Sequence, residues 1–131
     1  MAFITTFNPE GLAPLPGPSH VIVAEGERTV YVSGQTGIDA EGKVVGSDHR
    51  SQAAQAIRNL QTALAAAGAT LADVVRMGIY LVDYDETALD GLVEACIEVM
   101  GTIPPATSTL LGVARLWQDD VLVEIDAVAV V

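Results

Sequence analysis

The chain has 131 residues, half of them hydrophobic and 18% charged, with a formal net charge of −11 at pH 7. That length suits one domain, residues 1–131, with room for one core. Six scattered basic residues argue against nucleic acid and against an anionic membrane surface, since such binders cluster Lys and Arg. No apolar stretch approaches the ~18 residues of a membrane span. The N-terminus lacks the basic start and long apolar core of a signal peptide, and the lone Cys96 excludes an internal disulfide. These features point to the cytoplasm.

In chain order, residues 2–7 read as an edge strand. Residues 8–18 collect prolines and glycines and read as a loop. Residues 20–24 and 29–33 are short β-branched runs, and residues 25–28 between them have the composition of a hairpin turn. After a turn at residues 39–43, Val44 and Val45 suggest a further short strand. The period then changes: Ala53, Ala56, Ile57, Leu60, Ala63, Leu64 and Ala67 recur at helical spacing. Ser47 or Asp48 can cap that helix and Gly68 can end it. Residues 74–82 return to strand. A second helix starts within residues 83–86, follows the stripe Leu89, Leu92, Val93, Cys96, Val99 and Met100, and closes at Gly101. Two helices on one face of a mixed sheet make an α+β fold. The other face then needs cover, and the mean hydropathy of +0.41 agrees. Both predict a homo-oligomer with an apolar interface.

The last 28 residues, from Pro104 on, read as two strands around a polar turn. Within the final run, Val121, Val123, Ile125, Ala127 and Ala129 share one face, and Leu122, Glu124, Asp126, Val128 and Val130 the other. Apolar residues on both faces predict burial on both. Glu124 and Asp126 would then lie in or beside a partly dry pocket.

Several of these stretches, in order, resemble the RidA/YjgF family of reactive-intermediate deaminases, also called endoribonuclease L-PSP. They include Gly17-Pro18, Tyr31-Val32-Ser33-Gly34-Gln35, Gln52 with Asn59, and the run from Ala66 to Val75. Ile79-Tyr80-Leu81-Val82-Asp83, Pro105-Ala106, Val113-Ala114-Arg115-Leu116 and Val123 to Ala129 follow. The resemblance implies a chorismate-mutase-like fold and a barrel-like homotrimer with a cleft at each subunit interface. It also implies cofactor-free hydrolysis of enamines and imines such as 2-aminoacrylate, giving the 2-keto acid and ammonia. In the family, an arginine of a Pro-Ala-Arg motif grips the substrate carboxylate. A tyrosine after Gly-Pro and the serine of Ser-Gly-Gln line the pocket, and a glutamate of the last strand places water. Ser33, Gly34 and Glu124 match this set. The arginine position falls on Thr107 or Ser108, the tyrosine position on Ser19, and an asparagine of the second helix on Gly91.

Glu124 is accordingly the candidate general base, its pKa raised by burial; the plainer reading is a carboxylate that bonds backbone amides. Asp126, on the same face, can share a proton or a water with it or be structural. Thr107, Ser108 and Thr109 offer hydroxyls to a weakly polar ligand or spend them on the backbone. Ser33 and Gly34 suggest a pocket floor, and Ser19 with His20 its wall. His20 can supply titratable chemistry near neutrality or be a satisfied surface group, and His49 reads as structural. Two histidines and one cysteine show no metal-ligand spacing, and Cys96 on an apolar stripe reads as inert. Neither metal nor cofactor is expected. The leading expectation is water-mediated deamination of small imines, enamines or related carbonyl compounds, of the 2-iminobutanoate/2-iminopropanoate deaminase type. The alternative is a non-catalytic small-molecule-binding or regulatory trimer.

Overall fold

The apolar runs become strands in a computed structural model that describes residues 2–131. The strands are β1 (Phe3–Phe7), β2 (Val21–Glu25), β3 (Thr29–Thr36), β4 (Val74–Val82), β5 (Thr107–Val113) and β6 (Val123–Val130). Helix α1 (His49–Ala66) joins β3 to β4, and α2 (Glu86–Met100) joins β4 to β5. Four strands form one mixed sheet in the order β3-β6-β4-β5. The strand nearest the C-terminus, β6, is antiparallel to both its neighbours, while β5 runs parallel to β4. Parallel neighbours need a crossover connection, and α2 is that crossover.

Both helices lie on one face of this sheet, the α+β arrangement expected. Asp48 caps α1 by accepting from the Ser51 amide at 2.6 Å, and Asp85 caps α2 by accepting from the Ala88 amide at 2.7 Å. Left-handed Gly68 and Gly101 follow the two C-terminal ends. The core joins Ala53, Ile57, Leu60 and Leu64 of α1 to Val123, Ile125, Ala127 and Ala129 of β6. Helix α2 packs on α1. At Gly91 a side-chain carbon would lie 3.1 Å from the Arg50 amide nitrogen, so a glycine inside α2 lets the helices cross closely. His49 at the same crossing donates from Nε2 to the Val82 carbonyl at 2.7 Å.

Two sequence expectations change. The runs flanking residues 25–28 do not form a hairpin. Strand β2 pairs with β1, from Phe3↔Glu25 to Phe7↔Val21, as a separate two-stranded ribbon. Strand β3 pairs instead with β6, and the Arg28 and Val131 backbones exchange hydrogen bonds of 2.8 and 3.0 Å that extend that ladder. Second, β6 is buried on one face only. Val123, Ile125, Ala127 and Ala129 are in the core, whereas Glu124, Asp126, Val128 and Val130 are half-buried. Among the described residues, no layer covers their side of the sheet.

Two amides tie the sheet to α1. Gln52, fully buried, donates to the Gly46 and Asp120 carbonyls at 3.3 and 2.8 Å and accepts from the Leu122 amide at 2.7 Å. Asn59 donates to the Thr36 and Ile38 carbonyls at 2.9 and 2.8 Å. The first fixes where β6 begins, and the second fixes where β3 ends. No helix among the described residues is long and apolar enough to cross a membrane.

Candidate functional site

Cross-strand register decides which side chains share the open face of the sheet. Tyr80 on β4 and Thr36 on β3 both lie opposite Glu124 on β6. Asp126 faces Gly78, and Val128 faces Arg76 and Tyr31. On β5, Thr107 lies opposite Arg76 and Thr109 opposite Gly78. Directly opposed residues project from the same face. The open face thus carries a polar row of Glu124, Tyr80, Asp126, Arg76 and Thr109.

Both carboxylates lie over glycines. Strand β3 breaks register between Val32 and Gln35, and Gly34 in that irregularity sits beneath Glu124. A carbon added to Gly34 would fall 2.6 Å from Glu124 Cδ. One added to Gly78 would fall 2.6 Å from Asp126 Oδ1. Glycine at both places allows the carboxylates to lie flat on the sheet.

The two acids are held differently. Asp126 accepts from the Gly78 amide at 3.1 Å and from the Tyr80 hydroxyl at 2.9 Å. That bond, then the Asp126 charge, push the Tyr80 phenol above its usual pKa. None of the described residues donates a hydrogen bond to the Glu124 carboxylate. Burial first, and the Asp126 charge second, raise its pKa, because both disfavour a second negative charge in a partly dry place. Glu124 therefore keeps free lone pairs and a heightened proton affinity, while Asp126 is engaged.

The remaining sequence candidates fall elsewhere. Ser33 adjoins Gly34 and is exposed. Ser19 is buried, its amide donating to the Pro105 carbonyl at 3.1 Å. His20 follows, its amide bonded to Asn8 Oδ1 at 3.0 Å and its Nε2 donating to the Ala13 carbonyl at 2.6 Å. Thr107 donates its hydroxyl to the Val75 carbonyl at 2.7 Å. Ser108 pairs with Met77 on the helix side of the sheet and lines an apolar cavity of about 470 Å³ beneath α2, with Leu15, Pro18, Leu92 and Cys96. Thr107 lies two strands and four residues from Glu124. At ~4.8 Å per strand and ~3.3 Å per residue that is about 16 Å. One chain thus brings Gly34 and Glu124 together and holds Thr107 at the far end of the face, with Ser19 tied to the segment just before β5 and His20 following it. Tyr80 and Arg76 were not singled out by sequence. Their alternation along β4 is visible there, but which face they join depends on the register with β6. No cluster of three or more His, Cys, Asp or Glu side chains among the described residues is placed to hold a metal ion.

A four-stranded mixed sheet backed by two helices, with a half-dry unbonded glutamate on its open face, defines an α+β protein with a candidate acid–base site. Residues 12–131 match the family described as Endoribonuclease L-PSP. A RutC family protein of Pyrococcus abyssi is 37% identical over 119 residues, covering 89% of this chain and 90% of its own. A 2-iminobutanoate/2-iminopropanoate deaminase of Dermatophagoides farinae is 34% identical, covering 92% and 91%. The crystal structure of a Rid-family protein of unknown function, YyfB from Yersinia pestis, superposes with a TM-score of 0.88 at 34% identity over 98% of both chains. The chain belongs to this family, the RidA/YjgF family, and has its fold.

Proposed function

We propose that the protein hydrolyses small imines or enamines, consuming one water and releasing the carbonyl compound and ammonia. The observation that carries this is the Glu124 carboxylate: half-buried, with no hydrogen-bond donor among the described residues, and with its pKa raised by burial. In that state it takes a proton from a water as the oxygen attacks the C=N carbon, then returns the proton to nitrogen. The carbinolamine hydroxyl then gives its proton, by way of the same carboxylate, to the amine, and ammonia leaves as C=O forms. An enamine first gains a proton at carbon and loses one from nitrogen to become the imine. The relative named as a 2-iminobutanoate/2-iminopropanoate deaminase supports this substrate class.

Glu124 with Ser33 and Gly34 forms one half of the proposed site, and Ser19, His20 and Thr107 the other; Ser108, facing the helix side of the sheet, drops out of it. A gap of about 16 Å within one chain is too wide for a three- or four-carbon substrate, so the halves are proposed to meet between copies in a homotrimer. Uncovered apolar side chains support such assembly: Tyr31, Leu111 and Phe3 are 80%, 49% and 70% exposed. The buried lone Cys96 fits a cytoplasmic setting.

The test is ammonia release from 2-iminobutanoate generated in place by a dehydratase. The expected result is acceleration that disappears in Glu124→Ala, with trimer mass in sedimentation. No acceleration, or an unaltered Glu124→Ala, would refute the enzyme reading. A non-catalytic binding trimer is the second reading, favoured by the Thr107 hydroxyl being engaged with Val75. Its signature is thermal stabilisation by 2-keto acids without turnover.

A further inference from the structure

Strands β3, β4, β5 and β6 contain a single cationic residue, Arg76. The other arginines have partners elsewhere. Arg50 pairs with Glu94 and Glu98 at 3.5 and 3.2 Å, Arg58 with Glu98 at 3.2 Å, and Arg115 with Asp119 at 3.0 Å. Arg28 donates to the Ala67 carbonyl at 3.3 Å, behind α1. Arg76 has no carboxylate partner among the described residues, although Glu124 and Asp126 lie on its face. Its one bond is a long contact of 3.5 Å from Nη1 to the Thr109 hydroxyl. That contact draws the guanidinium across to β5 at Thr109, two residues past Thr107. Thr107, opposite Arg76, is small and turns its hydroxyl back to Val75, so it does not compete for the guanidinium. Four of the five N–H donors of Arg76 therefore remain unspent, in the planar fork that matches a carboxylate.

The surrounding charge makes such a group necessary for any anionic ligand. The chain carries −11 overall, and two of its carboxylates, Glu124 and Asp126, stand on the face itself. A small carboxylate approaching Glu124 meets repulsion unless a fixed cation offsets it.

We infer that Arg76 is the substrate-carboxylate anchor: its guanidinium binds the carboxylate of a small 2-imino or 2-oxo acid at the β4–β5 end of the open face. This rests on the imine-hydrolysis reading and adds the ligand's charge and its anchor. Arg76 lies at the same end as Thr107. It therefore presents the substrate to Glu124 of a neighbouring copy rather than to its own.

Binding of 2-oxobutanoate, the stable product, tests this without requiring turnover. Calorimetry on the full chain should show binding to the wild type, about 100-fold weaker binding to Arg76→Gln, and partial recovery in Arg76→Lys, as expected for loss of a charge-assisted fork. The uncharged 2-oxobutanamide should bind wild type and Arg76→Gln equally, a difference that a merely structural role for Arg76 would not produce. If the protein turns over imines, Arg76→Gln should raise KM for the imino acid while Glu124→Gln lowers kcat. Absence of turnover with Arg76-dependent binding would refute hydrolysis and retain the anchor. Equal affinity of wild type and Arg76→Gln for 2-oxobutanoate, or no binding to either, would overturn the anchor.

Discussion

Gly34→Ala adds one methyl group where the structure leaves no room. The new carbon would sit 2.6 Å from Glu124 Cδ and 2.8 Å from Cγ, whereas carbon atoms in contact rest ~3.5–4.0 Å apart. The Glu124 carboxylate must therefore retreat by about 1 Å. It can do so cheaply, because no donor among the described residues holds it and its face of the sheet is open. Gly34 itself does not have positive φ, so the main chain accepts alanine. Stability should thus change by no more than about 0.5 kcal/mol, as for an ordinary surface substitution. Catalysis should not be spared, since misplacing a reacting group by 1 Å costs roughly 100-fold. Steady-state hydrolysis of 2-iminobutanoate, measured beside a thermal melt, should show kcat down by about two orders of magnitude and an almost unmoved Tm. In a Glu124→Ala background the same change should cost nothing further. A Gly34→Ala enzyme with wild-type kcat, or one whose loss of activity follows loss of fold, would refute the placement of Glu124 as the reacting group.

Asp126→Asn removes the second cause of the raised Glu124 pKa, so the acidic limb of kcat/KM should move to lower pH; an unmoved limb would separate the two carboxylates. Above the ordinary glutamate value of 4.5, folded Glu124 holds its proton longer than unfolded Glu124. Stability therefore falls as pH rises through that window, and denaturant titrations of Glu124→Gln should lack this fall. Gln52→Leu strands the Leu122 amide and two carbonyls, and should cost about 3 kcal/mol, read as a Tm lower by roughly 10 °C. Burial pushes the Cys96 thiol up to about 11. A thiol reagent at neutral pH should leave the native protein unlabelled and react with one thiol per chain after unfolding.

Periodicity made the elements legible. The alternation through β6, the α1 stripe with Asp48 ahead of it and the Asp85 start of α2 all come from local rules. Pairing was not legible. Glu25-Gly26-Glu27-Arg28 has the composition of a tight turn, yet Arg28 bonds Val131, over a hundred positions away, and no local pattern carries that choice. The site divides the same way. Glu124 and Gly34 could be named from the family likeness. Tyr80 and Arg76 could not, because their membership of the open face rests on a ladder with an irregularity between Val74 and Arg76. Nor does the sequence say that Thr107 turns its hydroxyl to Val75, since that depends on where the neighbouring strand presents a carbonyl.

Strand β6 lies between β3 and β4, yet every other element precedes it in the chain. On a ribosome, β3 and β4 have no sheet between them until residues 123–130 emerge, so a nascent chain holds two unjoined halves with bare edges. Those same residues bring Glu124, so no growing fragment carries the carboxylate proposed to react before the architecture closes around it. A stop codon inside this segment would therefore erase chemistry and scaffold together, leaving strand edges prone to misassociation.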